Sequence, residues 1–230
     1  MPSSTRLVAS IAALGAAGAM ALPALPAAAA THCTAWGAMP AHVALHRDRT
    51  VVRLTLRGSS GCHNQRTDNG ATATMVDPTG QREDMRWRHF GGVQSMTMYV
   101  NLAHSGRYQL RNGNVQVYDR SYERVPWSWT RTSMVVKRAA HFSNVAASGG
   151  VVSGRAFVYT KYGWSGYRGK RVYVLRRAAG SSSWHTLGST RAAAHGVVRY
   201  RTATSSRYVY RMVLNATPSV WNARSAQVRG

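Results

Sequence analysis

Apolar and polar residues alternate with a period of two along much of the chain. In residues 50–57, TVVRLTLR, Val52, Leu54 and Leu56 fall on one face and mostly polar neighbours on the other, the period of a strand buried on one side. The same reading predicts strands at residues 43–45, 71–76, 97–102, 106–111, 115–117 and 132–137. Turn chemistry separates them: Ser59-Ser60-Gly61, Asp77-Pro78-Thr79-Gly80, Ser105-Gly106 and Asn112-Gly113. Asp77-Pro78-Thr79-Gly80 has its proline second and its glycine fourth, as a type I turn prefers. Val125 must be extended because Pro126 follows it. After a short connector a second series begins: residues 142–146, 153–159, 171–176, 184–190, 196–201, 208–214 and 223–228, separated by glycine and serine. No stretch keeps helical apolar spacing over three turns. Residues 191–195, RAAAH, come nearest and are too short to stand alone.

Two successive sets of short strands, each of about 90 to 105 residues, predict an all-β fold of two tandem sandwiches. The expected division is residues 31–135 for domain one and 136–230 for domain two, with the joint inside residues 132–141. Weak internal similarity points the same way. Arg53-Leu54-Thr55-Leu56 parallels Arg171-Val172-Tyr173-Val174, and Gly106-Arg107-Tyr108-Gln109-Leu110 parallels Arg207-Tyr208-Val209-Tyr210-Arg211.

Residues 1–30 belong to neither set. Arg6 precedes a run from residue 7 to residue 25 that is almost without polarity, and Ala27 to Ala30 supply small side chains, the pattern of a cleaved signal peptide ending before Thr31. A membrane anchor fits less well, because Gly and Ala dilute the run and Pro23 and Pro26 break its end. The expectation is a secreted protein, extracellular or associated with the cell wall, with no membrane span. Cys33 and Cys62 are the two cysteines; in an oxidising compartment they are expected to form a disulfide. A C-x-x-C redox spacing is absent.

Charge then separates the two halves. All seven acidic residues lie between Asp48 and Glu123, so the last 107 residues contain no Asp or Glu. Residues 31–135 carry 13 basic and 7 acidic side chains, whereas residues 136–230 carry 16 basic and none acidic. Such a surface attracts anionic polymers: nucleic acid, acidic cell-wall glycopolymer or phospholipid headgroups. Of the 30 basic residues 27 are Arg, a preference that a GC-rich genome also produces, but that bias does not remove Asp and Glu.

A resemblance adds to this reading. Val152-Ser153-Gly154-Arg155, the turn ending Tyr167-Arg168-Gly169, the strand from Lys170 to Arg177, Gly180-Ser181-Ser182-Ser183-Trp184-His185-Thr186-Leu187, the Gly196 turn and Tyr208-Val209-Tyr210 resemble immunoglobulin-like domains of secreted actinobacterial proteins. The resemblance covers about 80 residues of domain two and is looser over domain one. It implies a structural, adhesive or substrate-presenting β-sandwich, and it carries over no catalytic residue. Such domains usually end in repeated valines, whereas residues 223–228 here are more polar.

Candidate chemistry is sparse. His32, His42 and His46 lie near one another with Asp48 following, but their spacing is not that of a zinc site, and neither metal nor cofactor is expected. Glu83 and Asp84 are adjacent, so on a strand they would point to opposite faces. A G-x-S-x-G nucleophile elbow is missing. The aromatics say more. Tyr118, Tyr122, Trp127 and Trp129 lie beside Arg120, Arg124 and Arg131. In domain two, Tyr162, Trp164 and Tyr167 are interleaved with Lys161, Arg168, Lys170 and Arg171, and these seven are the candidate contacts for an anion or polymer. Trp184, Tyr173 and Tyr208 are assigned to packing. The expectation is a non-catalytic module that meets an anionic cell-wall polymer, an extracellular polyanion or another secreted protein. A hydrolase or enzyme inhibitor, using Asp119, Glu123 and His141 at the domain junction, is the alternative.

Overall fold

The computed structural model describes residues 32–62, 70–88, 93–118, 124–203 and 205–230. The expected leader and its cleavage point lie outside these residues, as do Asp119 and Glu123. The fold is all-β. The first strands are β1 (Cys33–Ala38), β2 (His42–Leu45), β3 (Arg49–Gly58), β4 (Gly70–Val76), β5 (Arg82–Arg88), β6 (Val93–Asn101), β7 (Gly106–Gln116), β8 (Trp127–Thr130) and β9 (Thr132–Arg138). They form one sheet of order β6-β3-β1-β8 and a second of order β2-β9-β7-β4-β5. The early chain serves both sheets. β1 pairs with β8 and β2 with β9, both in parallel, whereas the remaining pairs are antiparallel.

Alternation decides what lies between these sheets. Val52, Leu54 and Leu56 of β3 are buried and face Ala71, Ala73 and Met75 of β4, Leu110 of β7 and Met134 and Val136 of β9 in one apolar cluster. Leu45, Leu54, Leu56 and Leu110 are 0 % exposed. Each such side chain contributes about 1.5–3 kcal/mol by leaving water. Cys33 and Cys62 lie in the same cluster and are bonded, with Cα atoms 4.7 Å apart.

The later strands are β10 (Ala140–Ser148), β11 (Val151–Thr160), β12 (Gly163–Gly166), β13 (Arg171–Ala178), β14 (His185–Arg191), β15 (Val197–Arg201), β16 (Tyr208–Leu214), β17 (Ala223–Arg224) and β18 (Val228–Arg229). Strand β11 pairs along one edge with β10 and along the other with β15 and then β12. The facing sheet has the order β14-β13-β16, and β17 and β18 share the free edge of β16. Val152, Ala156, Val172, Val174, Val198, Tyr210, Met212 and Leu214 fill a second apolar cluster between these sheets.

Three local expectations change. Asn112-Gly113 does not turn the chain, because β7 runs through it with a bulge opposite β4. Asn112 adopts a positive φ of 50°, and Gly113 lets the Trp129 ring lie directly on the backbone, where a Cβ would meet it at 1.8 Å. Residues 163–166 look like a glycine turn but pair with β11 as β12. The single final strand expected at residues 223–228 is two two-residue strands with a break between them. Residues 194–196 make a short 3-10 turn with His195 at φ 53°. Strands β1 and β5 were not foreseen; β5, REDMRWR, buries only Met85 and Trp87.

The two clusters meet at Ala139, the residue between β9 and β10. Its N–H donates to Leu45 O at 2.8 Å and its carbonyl accepts from Tyr159 N at 2.9 Å. Tyr159, although on β11, packs with the first cluster and donates its hydroxyl to Asp48 Oδ1 at 2.9 Å. Around them residues 217–221 strap onto β9. Lys137 Nζ donates to Thr217 O at 2.8 Å, Arg138 N to Ser219 O at 3.1 Å, and Trp221 N to Arg138 O at 3.0 Å. Trp221 Nε1 also donates to Val43 O at 2.8 Å.

Candidate functional site

The seven candidate contacts are divided among three places. Lys161 and Tyr162 occupy the β11–β12 turn, which Thr160 closes by donating Oγ1 to Gly163 O at 2.9 Å and accepting from Tyr162 N at 3.2 Å. Tyr162 is 86 % exposed, with Lys161 Nζ 4.8 Å from its ring centre. Trp164 stands opposite Tyr159 in the β11–β12 ladder and is 42 % exposed. Its ring meets that of His141 edge-on at 4.2 Å and that of Tyr159 at 5.5 Å, while His141 stacks on Phe157 at 5.2 Å. Burial pushes the His141 imidazole toward its neutral form. The rings of Phe157, His141, Trp164 and Tyr159 form an aromatic shelf, and Lys161 lies against Tyr162 in the turn that follows β11.

Tyr167 goes elsewhere. It is 9 % exposed and packs in the second core, with Lys170 Nζ 5.4 Å from its ring centre. Arg168 and Lys170 are exposed in the turn before β13, and Arg171 opens that strand opposite Arg191. Arg191 donates to Gly169 O at 2.9 Å, which ties this turn to β14.

The other candidates are occupied by structure. His42 lies against the Trp221 ring at 4.4 Å, and His46 Nδ1 is 3.1 Å from Ala44 O. Asp48 accepts from Tyr159, and Asp84 from Thr74 Oγ1 at 3.2 Å. A depression of about 250 Å³ over the β7 bulge is lined by Thr72, Ala73, Thr74, Asp84, Arg86 and Asn112, with Asp84 its one carboxylate. Among the described residues no three of His, Cys, Asp or Glu gather as a metal site would require. Nor is any helix there long and apolar enough to cross a membrane.

A face that residue-by-residue scanning misses lies on the outside of the β13–β16 sheet. Tyr210, Met212 and Leu214 point inward, so Val209, Arg211 and Val213 point outward. On β13 the outward set is Tyr173, Leu175 and Arg177, which pair with Val213, Arg211 and Val209. Trp184, assigned above to packing, covers this outer face and not the core. The guanidinium of Arg211 lies 4.0 Å from its ring centre and that of Arg177 5.3 Å. Arg177 also donates to the carbonyl of Ser181 and, at 3.0 Å, to Gln227 Oε1, both neutral acceptors. Arg211 Nε is buried without a hydrogen-bond partner. Burial lowers the Arg211 pKa, and Arg224 and Arg177 nearby lower it further. The alternation of residues 171–177 and 208–214 is visible in the sequence, but the register that places their arginines side by side is not.

No family model matches the chain, and no curated protein matches it. Several solved structures are similar at low identity. A segment of two fibronectin type-III domains from chicken tenascin is 12% identical, with 80% of this chain and 93% of that one covered and a TM-score of 0.36. A run of domains from titin is 12% identical over 85% of this chain and 64% of that one, with a TM-score of 0.28. A DUF4785 family protein from Legionella pneumophila is 13% identical over 77% of this chain and 50% of that one, with a TM-score of 0.49.

Proposed function

We propose that the chain is a secreted, non-catalytic module of two immunoglobulin-like sandwiches, joined within residues 132–141, that docks on an anionic polymer or surface outside the cell. The observation that carries this reading is the charge of residues 136–230, 16 basic side chains and no acidic one. On a small β-sandwich the strand interiors are taken by apolar residues, so these cations are displayed on the outer faces. A surface of one sign concentrates polyanions, and each phosphate neutralised releases counterions. The Cys33–Cys62 bond supports an oxidising location. The Tyr162, Trp164 and Lys161 hairpin, with Arg168, Lys170 and Arg171 on the next turn, adds cations and stacking surface to the same half of the chain.

The test is binding of the mature chain to purified cell-wall polymer, heparin and DNA at low and high salt. Affinity is expected to fall roughly 100-fold or more between about 50 and about 500 mM salt if three or more anionic groups are engaged. Absence of binding at low salt, or binding indifferent to salt, overturns the reading.

A further inference from the structure

From the register of β13, β16 and β17 we infer that Arg177, Arg211 and Arg224 form a binding track for a linear phosphodiester chain, read through its phosphates. The inference rests on the anion-binding reading above and gives it a place and a ligand class. Arg177 stands opposite Val209 and Arg224 opposite Val213, while Arg211 lies midway between those two valines on β16. The three arginines therefore follow one diagonal across three adjacent strands, each the diagonal neighbour of the next. Diagonal neighbours in a sheet are about 7–8 Å apart, so the track presents one cation per step along a line.

Several features make this line a site and not a chance crowding of charge. Like charges placed side by side in a sheet destabilise it, and no acidic residue exists anywhere in the last 107 residues to offset them. Trp184 lies against Arg177 and Arg211 and presents its ring to both guanidinium groups. The indole holds both guanidinium groups against the outer face of the sheet. The acceptors that Arg177 meets, Ser181 O and Gln227 Oε1, orient it without neutralising it. Burial first, and then the neighbouring charges of Arg224 and Arg177, lower the Arg211 pKa.

The ligand class follows from what borders the cations. Leu175, Val209 and Val213 are partly exposed on the same face and flank the line of arginines. A chain with one anion per repeat and a neutral spacer fits a line of single cations bordered by apolar positions. A glycan sulfated on every side fits a broad cationic field better. The guanidinium fork matches two phosphate oxygens at once. An indole already covered by guanidinium groups is a poor platform for a nucleobase, so the bases are not the feature recognised. A flat face also offers no enclosure for a small ligand, and several weak contacts along a polymer compensate for that.

The experiment compares the mature protein, the triple variant R177Q/R211Q/R224Q and a charge-matched control, R155Q/R199Q/R201Q, whose exposed arginines lie on the other sheet of the same half. The probes are an abasic deoxyribose-phosphate oligomer, poly(glycerol phosphate) and heparin, titrated across a salt series after circular dichroism confirms folding. The expected result is binding of both phosphodiester probes, a loss of about tenfold or more in the triple variant, and a salt slope shallower by about 2 units for three lost contacts. The control should lose less than about threefold. The more tightly bound phosphodiester probe then tells which source of that chemistry the track serves. Equal losses in both triple variants would sink the track and leave the anion-binding reading standing. Stronger heparin binding through the same three arginines overturns the ligand class. No binding of any probe by the unaltered protein overturns both. Should the triple variant misfold, exposed Arg224→Gln alone is expected to make the slope shallower by about 0.7, and an unchanged slope overturns the track.

Discussion

Asp77 accepts from Thr79 N, Thr79 Oγ1 and Gln81 N and lies 2.6 Å from His104 Nδ1. Burial alone would raise its pKa, but the bonds from Thr79 and Gln81, with His104 beside them, outweigh that and hold the carboxyl below its ordinary 3.8. A carboxylate depressed in this way stabilises the fold above its unfolded pKa and ceases to do so as pH falls through the folded value. Asp77→Asn should therefore lower stability at neutral pH, and the gap from the unaltered protein should close below about pH 3.8 in urea titrations. Gly196 is a second fixed point: its φ is +74° and an added Cβ would meet Ala156 O at 2.1 Å. Gly196→Ala should cost roughly 2 kcal/mol or more, measured by denaturant unfolding. Both turns are legible in the sequence because their chemistry is local. Tyr167 and Trp184 are not, since the side an aromatic faces is set by strand register.

Among the strands, the alternating segments are legible wherever one face is buried, as in β3, β4 and β16. Legibility fails where other forces decide. β5 carries five charged residues in seven and is held by the ladder to β4, and β12 is two glycines around Trp164 and Ser165 held against β11. At the bulge of β7 the packing of Trp129 on Gly113 outweighs the turn preference of Asn-Gly. The disulfide is the cross-link that sequence foresaw. It ties β1 to the 3-10 turn Ser60–Cys62 after β3, across a separation of 29 residues. Cys33→Ala with Cys62→Ala should lower stability by about 3–4 kcal/mol through the freed loop, read as a lower urea midpoint with a steeper slope, because the freed unfolded chain exposes more surface.

At the scale of the whole molecule, two strand sets could be counted from the sequence, but the clasp between their cores could not. Its contacts join residues far apart in the chain: Trp221 with Val43, Lys137 with Thr217, Tyr159 with Asp48. Trp221→Ala removes the indole that bonds Val43 O and touches both His42 and Lys137. It should lower stability by roughly 2 kcal/mol, less than a core Trp, and split a single unfolding transition into two in calorimetry. The Cys33–Cys62 bond has a mechanical side as well. A pull entering through residue 32 passes from Cys33 directly to Cys62, so the segment containing β1, β2 and β3 stays looped and bears no tension when the rest extends. Reducing the bond should lengthen the released chain by about 100 Å, and an oxidised molecule under tension keeps β3, whose Val52, Leu54 and Leu56 line the first core, out of the extended thread.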